Sequence, residues 1–425
     1  MEVQTAAQRG LLRNRPFLAL WSAQILSMTA ANALTSALIV LVAVLTRSNT
    51  ASSLLILLSI VPAVLFGISA GVFVDRTDRR LVLITTNALR AVAVTVILVF
   101  GDSVATAYVV NFLVASVTVF FVPAEAATIP SLVRRSDLLA ANSLFTFTFN
   151  GTFLLGFIIL APLVIAFAGF PTLFAIVVAM FAAAAILCAV LPPSERVAGH
   201  LGVDVAGEAV DRSRRDIGEA LRYLTKTPRV FWALVYIAVT YSLVAAAGAL
   251  APGYVREVLL LPERAVALLV GPAGIGVVVG LGTLNAVGRR VGRGHAVGLG
   301  LVALIGALLV LALARPLAEL ARSGVGDRLE GLPYFIVLVF ATTLVFGIAY
   351  AFITVPSMTL IQEELPDLIR GRVFGVLNVL VSVLSLLPLV VVGPVADLWG
   401  VAPVFVGGAV LVLAVWLGGR SARKT

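Results

Sequence analysis

The sequence predicts an all-α membrane protein, with twelve transmembrane helices arranged as two pseudo-symmetric six-helix bundles. Three observations lead there. Of 425 residues, 61% belong to the apolar set AVILMFWYC and only 12% are charged, about half the charge a soluble domain uses to solvate its surface. Apolar runs of about 20 residues, the length that crosses a hydrocarbon core, recur along the whole chain. Between the runs, arginine and lysine alternate between dense and sparse segments.

The runs fall at 17–45, 53–73, 81–100, 104–122, 142–168, 172–191, 229–251, 265–287, 296–314, 334–355, 372–392 and 402–418. Alternation of period two is absent, which argues against a β-barrel. The first run exceeds one crossing, so that helix is expected to tilt or project from the bilayer. Arg9, Arg13 and Arg15, followed by an apolar stretch and Ala31-Asn32-Ala33, have the outline of a cleaved signal peptide. The apolar stretch continues to Leu45, however, and a spanning helix is the expectation.

With the N-terminus placed inside, 23 of the 30 arginines and lysines fall in inside segments and six in outside ones; the remaining one, Arg90, lies within a span. That bias predicts a multi-pass protein of the cell (inner) membrane with both termini cytoplasmic. The expected organisation is a cytoplasmic segment 1–16, a bundle 17–191, a linker 192–228, a second bundle 229–418 and a cytoplasmic tail 419–425. The linker opens with Pro192-Pro193. Ile217, Leu221 and Leu224 stand at helical spacing within it, as in a short amphipathic helix on the membrane face.

The net charge of +9 is a matter of membrane topology here, not of nucleic-acid binding. One cysteine, Cys188, excludes an internal disulfide, and two histidines, His200 and His295, leave no Cys/His metal site. No cofactor is expected. The nucleotide loop G-x-x-x-x-G-K-[ST] does not occur. A membrane enzyme would need a clustered acid, base or metal site, and a sensor would need a soluble output domain; neither is provided.

The halves resemble one another. Pro123-Ala124-Glu125 after the fourth span corresponds to Pro356-Ser357-Met358 after the tenth. Asp75-Arg76-Thr77-Asp78-Arg79-Arg80 corresponds to Gly288-Arg289-Arg290-Val291-Gly292-Arg293. Repeats of this kind are a frequent construction of transporters, with cargo bound near the midplane between them.

Gly71 through Arg80 (GVFVDRTDRR) resembles the G-x-x-x-D-R-x-x-R-R loop of the major facilitator superfamily, at that family's position between spans two and three. The stretches 123–142 (PAEAATIPSLVRRSDLLAAN) and 362–375 (QEELPDLIRGRVFG) are similar to the branch containing enterobactin exporters and macrolide-efflux proteins. There are departures: Gly288 replaces the aspartate in the second-half loop, and Asn87-x-x-Arg90 stands where relatives often have Asp-x-x-Arg. The fifth span keeps Gly151, Gly156 and Pro162 without a clean glycine-proline antiporter pattern.

The resemblance implies an inner gate of Gly71, Asp75, Arg76, Arg79 and Arg80, with Asp75 meeting the start of the eleventh helix near Gly371 and Arg372. A carboxylate suits the positive end of a helix dipole, and Gly71 would permit close helix approach. The alternative is a charged turn obeying the inside-positive rule.

Arg90 and Glu125 are the candidate charge or coupling residues. Arg90, well inside the third span, is costly there unless paired. It would anchor an anionic cargo, pair with Asp75 or Glu125, or serve structure alone. Glu125, placed at the inner end of span four, would bind a proton or offset a cationic cargo. No carboxylate is expected mid-span.

Helical spacing aligns Gln24, Met28, Ala31 and Thr35 on span one, and Asn142, Thr146 and Asn150 on span five. It likewise aligns Tyr236 and Thr240 on span seven, and Thr343, Gly347, Tyr350 and Thr354 on span ten. The resemblance puts spans one, seven and ten around the cavity. Gln24, Thr35, Asn150, Tyr236, Thr240, Thr343 and Tyr350 are thus candidate cavity-lining residues of a largely apolar pocket suited to bulky amphiphiles. The alternative is polar contact between helices. The resemblance implies a monomeric secondary transporter, an antiporter exporting amphiphilic small molecules (drug- or macrolide-like) by alternating access, with protons as a candidate coupling ion. A siderophore or lysolipid transporter of the same fold is the alternative.

Overall fold

The computed structural model describes residues 11, 13–100, 103–193, 218, 222, 224, 226–324, 331–364 and 388–421. Its long helices are α1 (Arg15–Thr46), α2 (Asn49–Arg76), α3 (Arg79–Phe100), α4 (Val104–Leu132), α5 (Leu138–Phe153) and α6 (Ala161–Ala189). They continue with α7 (Pro228–Glu257), α8 (Ala267–Val291), α9 (Arg293–Gly324), α10 (Gly331–Glu364), α11 (Pro388–Trp399) and α12 (Val401–Ser421). Among the described residues there is no strand.

Among the described residues, ten helices are long and apolar enough to cross a membrane. One of them, the 39-residue stretch Gly151–Ala189, is two crossings joined end to end. Gly169 breaks it with φ of 79°, a left-handed backbone open to glycine and strained for other residues. The short apolar helix α11 adjoins the run expected to form the eleventh crossing, 372–392, of which residues 372–387 lie outside the described residues. The fold is therefore the expected one of twelve helices in two bundles.

Local chemistry sets the helix starts. Asn14 caps α1 by accepting the Phe17 amide at 3.2 Å, and its own amide donates to the Leu132 carbonyl at the end of α4. Ser103 caps α4 through the Thr106 amide at 3.0 Å. Asp78 caps α3 by accepting the Arg80 amide at 2.9 Å. Between α5 and α6, residues Leu154–Leu160 form a π-helical segment, a local widening that no sequence pattern announces.

The chain divides into two compact units, Met1–Leu45 with Leu58–Val210, and Thr46–Leu57 with Asp211–Thr425. The first part of α2 thus belongs with the second unit, which the linear bundle boundaries do not anticipate. In the first unit the core gathers Phe17, Leu20 and Ala23 of α1, Val82 and Leu83 of α3, Phe121 and Ala124 of α4, Phe145 of α5, and Ala184 and Cys188 of α6.

In the second unit Tyr254 of α7 is fully buried. Its hydroxyl donates to the Leu311 carbonyl of α9 at 3.2 Å, and its ring packs edge-on against Phe405 of α12. Of the expected linker helix, Ile217 and Leu221 lie outside the described residues, whereas Leu224 is helical and buried against Val230, Ala233, Leu234, Ile237 and Ile361.

Helices α8 and α10 touch through their backbones. A Cβ on Gly347 would stand 1.9 Å from the Ala273 carbonyl oxygen, and one on Gly276 2.0 Å from that of Leu344. Without a hydrophobic driving force between helices in lipid, such close approach supplies the dispersion contact that holds them. Gly347→Leu forces the pair apart, and is expected to cost about 1–3 kcal/mol or more. The check is the thermal unfolding midpoint of the purified variant; a wild-type midpoint would mean the helices do not approach this closely.

Candidate functional site

Within the first unit, Arg90 occupies the middle of α3 and is completely buried, at 0% exposure. Its Nη1 donates to Ser27 Oγ of α1 at 2.9 Å, and its Nε donates to the Thr86 carbonyl one turn earlier at 3.2 Å. The guanidinium lies 4.4 Å from the Phe121 ring centroid of α4 and 5.1 Å from that of Phe181 on α6. Two aromatic faces are a suitable lining for a planar, weakly hydrated cation. Ser27 in turn donates to Asn87 Oδ1 at 2.9 Å, and Asn87 donates to the Leu83 carbonyl. Four helices therefore converge on one cation.

Glu125 lies one turn beyond Phe121 on α4 and is buried at 5% exposure. It is near enough to attract Arg90 electrostatically, yet no direct ion pair joins them, and Glu125 Oε1 and Arg90 Nη2 have no hydrogen-bond partner. The expectation of an interfacial Glu125 and no buried carboxylate is corrected here. Pro123 and Pro130 do not end the helix, which runs on to Leu132 and carries Glu125 inside the bundle. Proline is tolerated within a membrane helix because neighbouring groups take over the freed backbone carbonyl. The pairing of Arg90 with Asp75 is not formed; the groups around Arg90 are those named above.

The loop 71–80 divides by partner. Arg79 Nη1 donates to the Ala127 carbonyl of α4 at 2.8 Å, and Arg80 Nη2 donates to the Ala189 carbonyl of α6. These arginines tie helix ends together inside the first unit. Asp75, by contrast, is exposed and has no hydrogen bond or ion pair among the described residues. A Cβ on Gly71 would meet no described atom within 4 Å, so the close approach expected there involves none of the described helices. Gly371 and Arg372 lie outside the described residues.

The polar stripes are largely consumed by contacts within their own units. Gln24 is buried, with its Oε1 accepting from Thr148 Oγ1 of α5 at 3.0 Å and its Nε2 donating to the Phe145 carbonyl at 3.4 Å. Trp21 Nε1 donates to the same threonine hydroxyl at 3.2 Å. Thr35 donates to the Ala31 carbonyl, Thr240 to that of Tyr236, Thr343 to that of Phe340 and Thr354 to that of Tyr350. Tyr236 is buried beside Trp232 and against Gly419 of α12.

Tyr350 stacks on Tyr241 with ring centroids 6.0 Å apart, a partner that helical spacing on span ten alone does not reveal. Tyr241 itself is 39% exposed. The side chain of Asn150 lies outside the described ones. Ser27, Phe121 and Phe181 were not singled out in the sequence. An intramembrane arginine is the one signal that a partner set had to exist.

The sequence pattern of the Major Facilitator Superfamily matches residues 20–388. No curated protein sequence matches the chain. Among solved structures, it is similar to the nucleoside transporter NupG, with a TM-score of 0.67 at 14% identity over 96% of this chain and 99% of that one. It is also similar to a bacterial homologue of the iron transporter ferroportin in an inward-facing state, with 0.69 at 16% identity over 96% and 99%. The POT family transporter PepTSo gives 0.66 at 13% identity over 96% and 99%. At such identities the likeness is one of fold, and these neighbours differ among themselves in the transporter type they are named for. Fold and sequence pattern agree over most of the length, and the chain belongs to the Major Facilitator Superfamily.

Proposed function

We propose that this transporter is a secondary antiporter exporting amphiphilic small molecules, drug- or macrolide-like, by alternating access, from a cell membrane in which both termini are cytoplasmic. The observation that carries this reading is the fate of the polar side chains on α1, α7 and α10. Thr35, Thr240, Thr343 and Thr354 each donate to a carbonyl of their own helix, and Gln24 is saturated by α5. What these helices have left to offer a cargo is apolar and aromatic surface, including the Tyr241–Tyr350 stack. Such surface suits bulky amphiphiles, whereas sugars and small ions need a dense set of free donors and acceptors. A catecholate siderophore would want a cation in reach, and Arg90 is sealed between Phe121 and Phe181.

Reconstituted into proteoliposomes, the protein should move macrolides and lipophilic dyes with saturable kinetics and without chemical change. Saturable flux of catecholate siderophores or lysolipids, with macrolides and dyes ignored, would replace this reading by the alternative. The coupling ion is tested in the same vesicles. Glu125 is a buried carboxylate available to carry a proton, so an imposed pH gradient should accelerate wild-type flux several-fold and leave Glu125→Gln indifferent to it. Gradient dependence that survives this substitution would remove Glu125 from the coupling.

A further inference from the structure

Within the second unit, the start of α7 lies beside the end of α12. Arg229, Trp232 and Tyr236 stand at i, i+3 and i+7 and share one face of α7. That face meets α12 where its side chains vanish. A Cβ on Gly418 would stand 2.6 Å from the Trp232 ring, and one on Gly419 1.9 Å from the Tyr236 hydroxyl. The indole therefore rests on the α12 backbone, with Phe231 edge-on at 5.5 Å and Tyr236 at 6.1 Å between ring centroids.

Cations gather at the rim of this aromatic seam. Arg229 and Arg420 are the second and the last residues of their crossings, Pro228–Glu257 and Val401–Arg420, so both stand at the same membrane edge. The Arg420 guanidinium lies 4.6 Å from the Trp416 ring centroid, one turn earlier on α12. Stacking of this kind fixes the plane of the guanidinium and leaves its N–H donors for another group. Among the described residues no ion pair engages Arg420. Arg229 is 78% exposed, and its carboxylate partner, Glu364 of α10, is 4.0 Å away, at the outer limit of an ion pair. Lys226, just before α7, is exposed as well; Glu363, beside Glu364, is the other exposed charge at the end of α10.

Below the rim the surface is apolar. Phe231, packed on Trp232, and Leu417, next to Gly418, are both exposed, and both belong to helices that cross the membrane. A soluble anion would use the arginines and leave this wall uncovered. A molecule that satisfies both must carry an anionic phosphate and hydrocarbon together. Arginine suits the first part, because its fork of donors matches phosphate oxygens two at a time. Tryptophans at headgroup level suit the junction between the two parts.

We infer that the α7–α12 seam is a binding site for an anionic phospholipid. Its phosphate is held by Arg420, positioned by Trp416, and by Arg229, with Lys226 adding charge, while its acyl chains lie along Phe231 and Leu417. The site belongs to one unit and is separate from the polar stripes assigned to cargo.

Native mass spectrometry of the full chain, equilibrated with equal parts of phosphatidylglycerol and phosphatidylcholine, tests the site. Wild type should retain phosphatidylglycerol in preference. Arg229→Gln and Arg420→Gln should each lower that retention about fivefold, and the pair together more than tenfold. Trp416→Leu keeps every charge but removes the surface on which Arg420 rests, and should lower retention about threefold. Arg134→Gln with Arg135→Gln removes two exposed arginines from the first unit and should leave retention at the wild-type level. The inference is overturned if phosphatidylglycerol is held no better than phosphatidylcholine, or if retention survives the loss of Trp416 or of both seam arginines. Equal loss in the Arg134/Arg135 control would reduce the effect to diffuse charge, and displacement of the lipid by inorganic phosphate would make the seam a soluble-anion site; either result overturns it too.

Discussion

Arg90→Ala should destabilise the first bundle by about 3–5 kcal/mol, the cost of truncating a large, fully buried and hydrogen-bonded side chain. The side chain bonds to Ser27, fills the space between two phenylalanine rings and is close enough to attract Glu125. All three contributions vanish together, and a void opens where four helices meet. Purified protein should unfold roughly 10 °C below wild type.

Arg90→Lys keeps the charge but not the flat stacking surface, and should recover only part of the loss. The informative variant is Arg90→Met combined with Glu125→Gln, which removes both charges and restores bulk. It should be more stable than Arg90→Met alone by about 1–2 kcal/mol. If the second substitution adds to the damage instead, the two residues do not compensate one another.

How much of this was legible beforehand depends on what each feature needs. Run length is a property of the linear chain, and the crossings it predicts are present where the residues are described, down to the turn at Gly169 inside an otherwise continuous apolar stretch. Glu125 is expected at the inner end of span four because the apolar run ends at residue 122, but the helix continues through Pro123 to Leu132, as membrane helices allow. The partners of Arg90 depend on how α1, α4 and α6 are rotated, and no periodicity in a uniformly apolar helix fixes that rotation. The threonines read as pocket lining bond to their own helix carbonyls, a choice invisible in spacing. The division of α2 is the hardest case. The helix runs unbroken through Leu58, and Asp397, which accepts the Asn49 amide, belongs to no motif, so only tertiary contact reveals where the grouping changes.

Asp75→Asn should abolish most transport while leaving the protein folded and abundant in the membrane. The two halves of that expectation come from different observations. Asp75 is exposed and bonded to nothing among the described residues, so its charge does little for stability. The start of α3 is capped by Asp78, and the neighbouring Arg79 and Arg80 are anchored to the ends of α4 and α6. An acidic residue with no local task, set beside three arginines that satisfy the inside-positive rule without it, is available for a contact formed in part of a transport cycle.

A carboxylate at a helix start contributes about 0.3–2 kcal/mol, and one or two kcal/mol moves a conformational balance by a factor of about 5–30. Flux in proteoliposomes should fall by that order, with the unfolding midpoint within a degree or two of wild type. Asp78→Ala should do the reverse, lowering stability through the lost cap by about 1 kcal/mol and sparing flux. Should Asp75→Asn transport normally, the aspartate is only part of a charged turn, and the gate must be sought elsewhere.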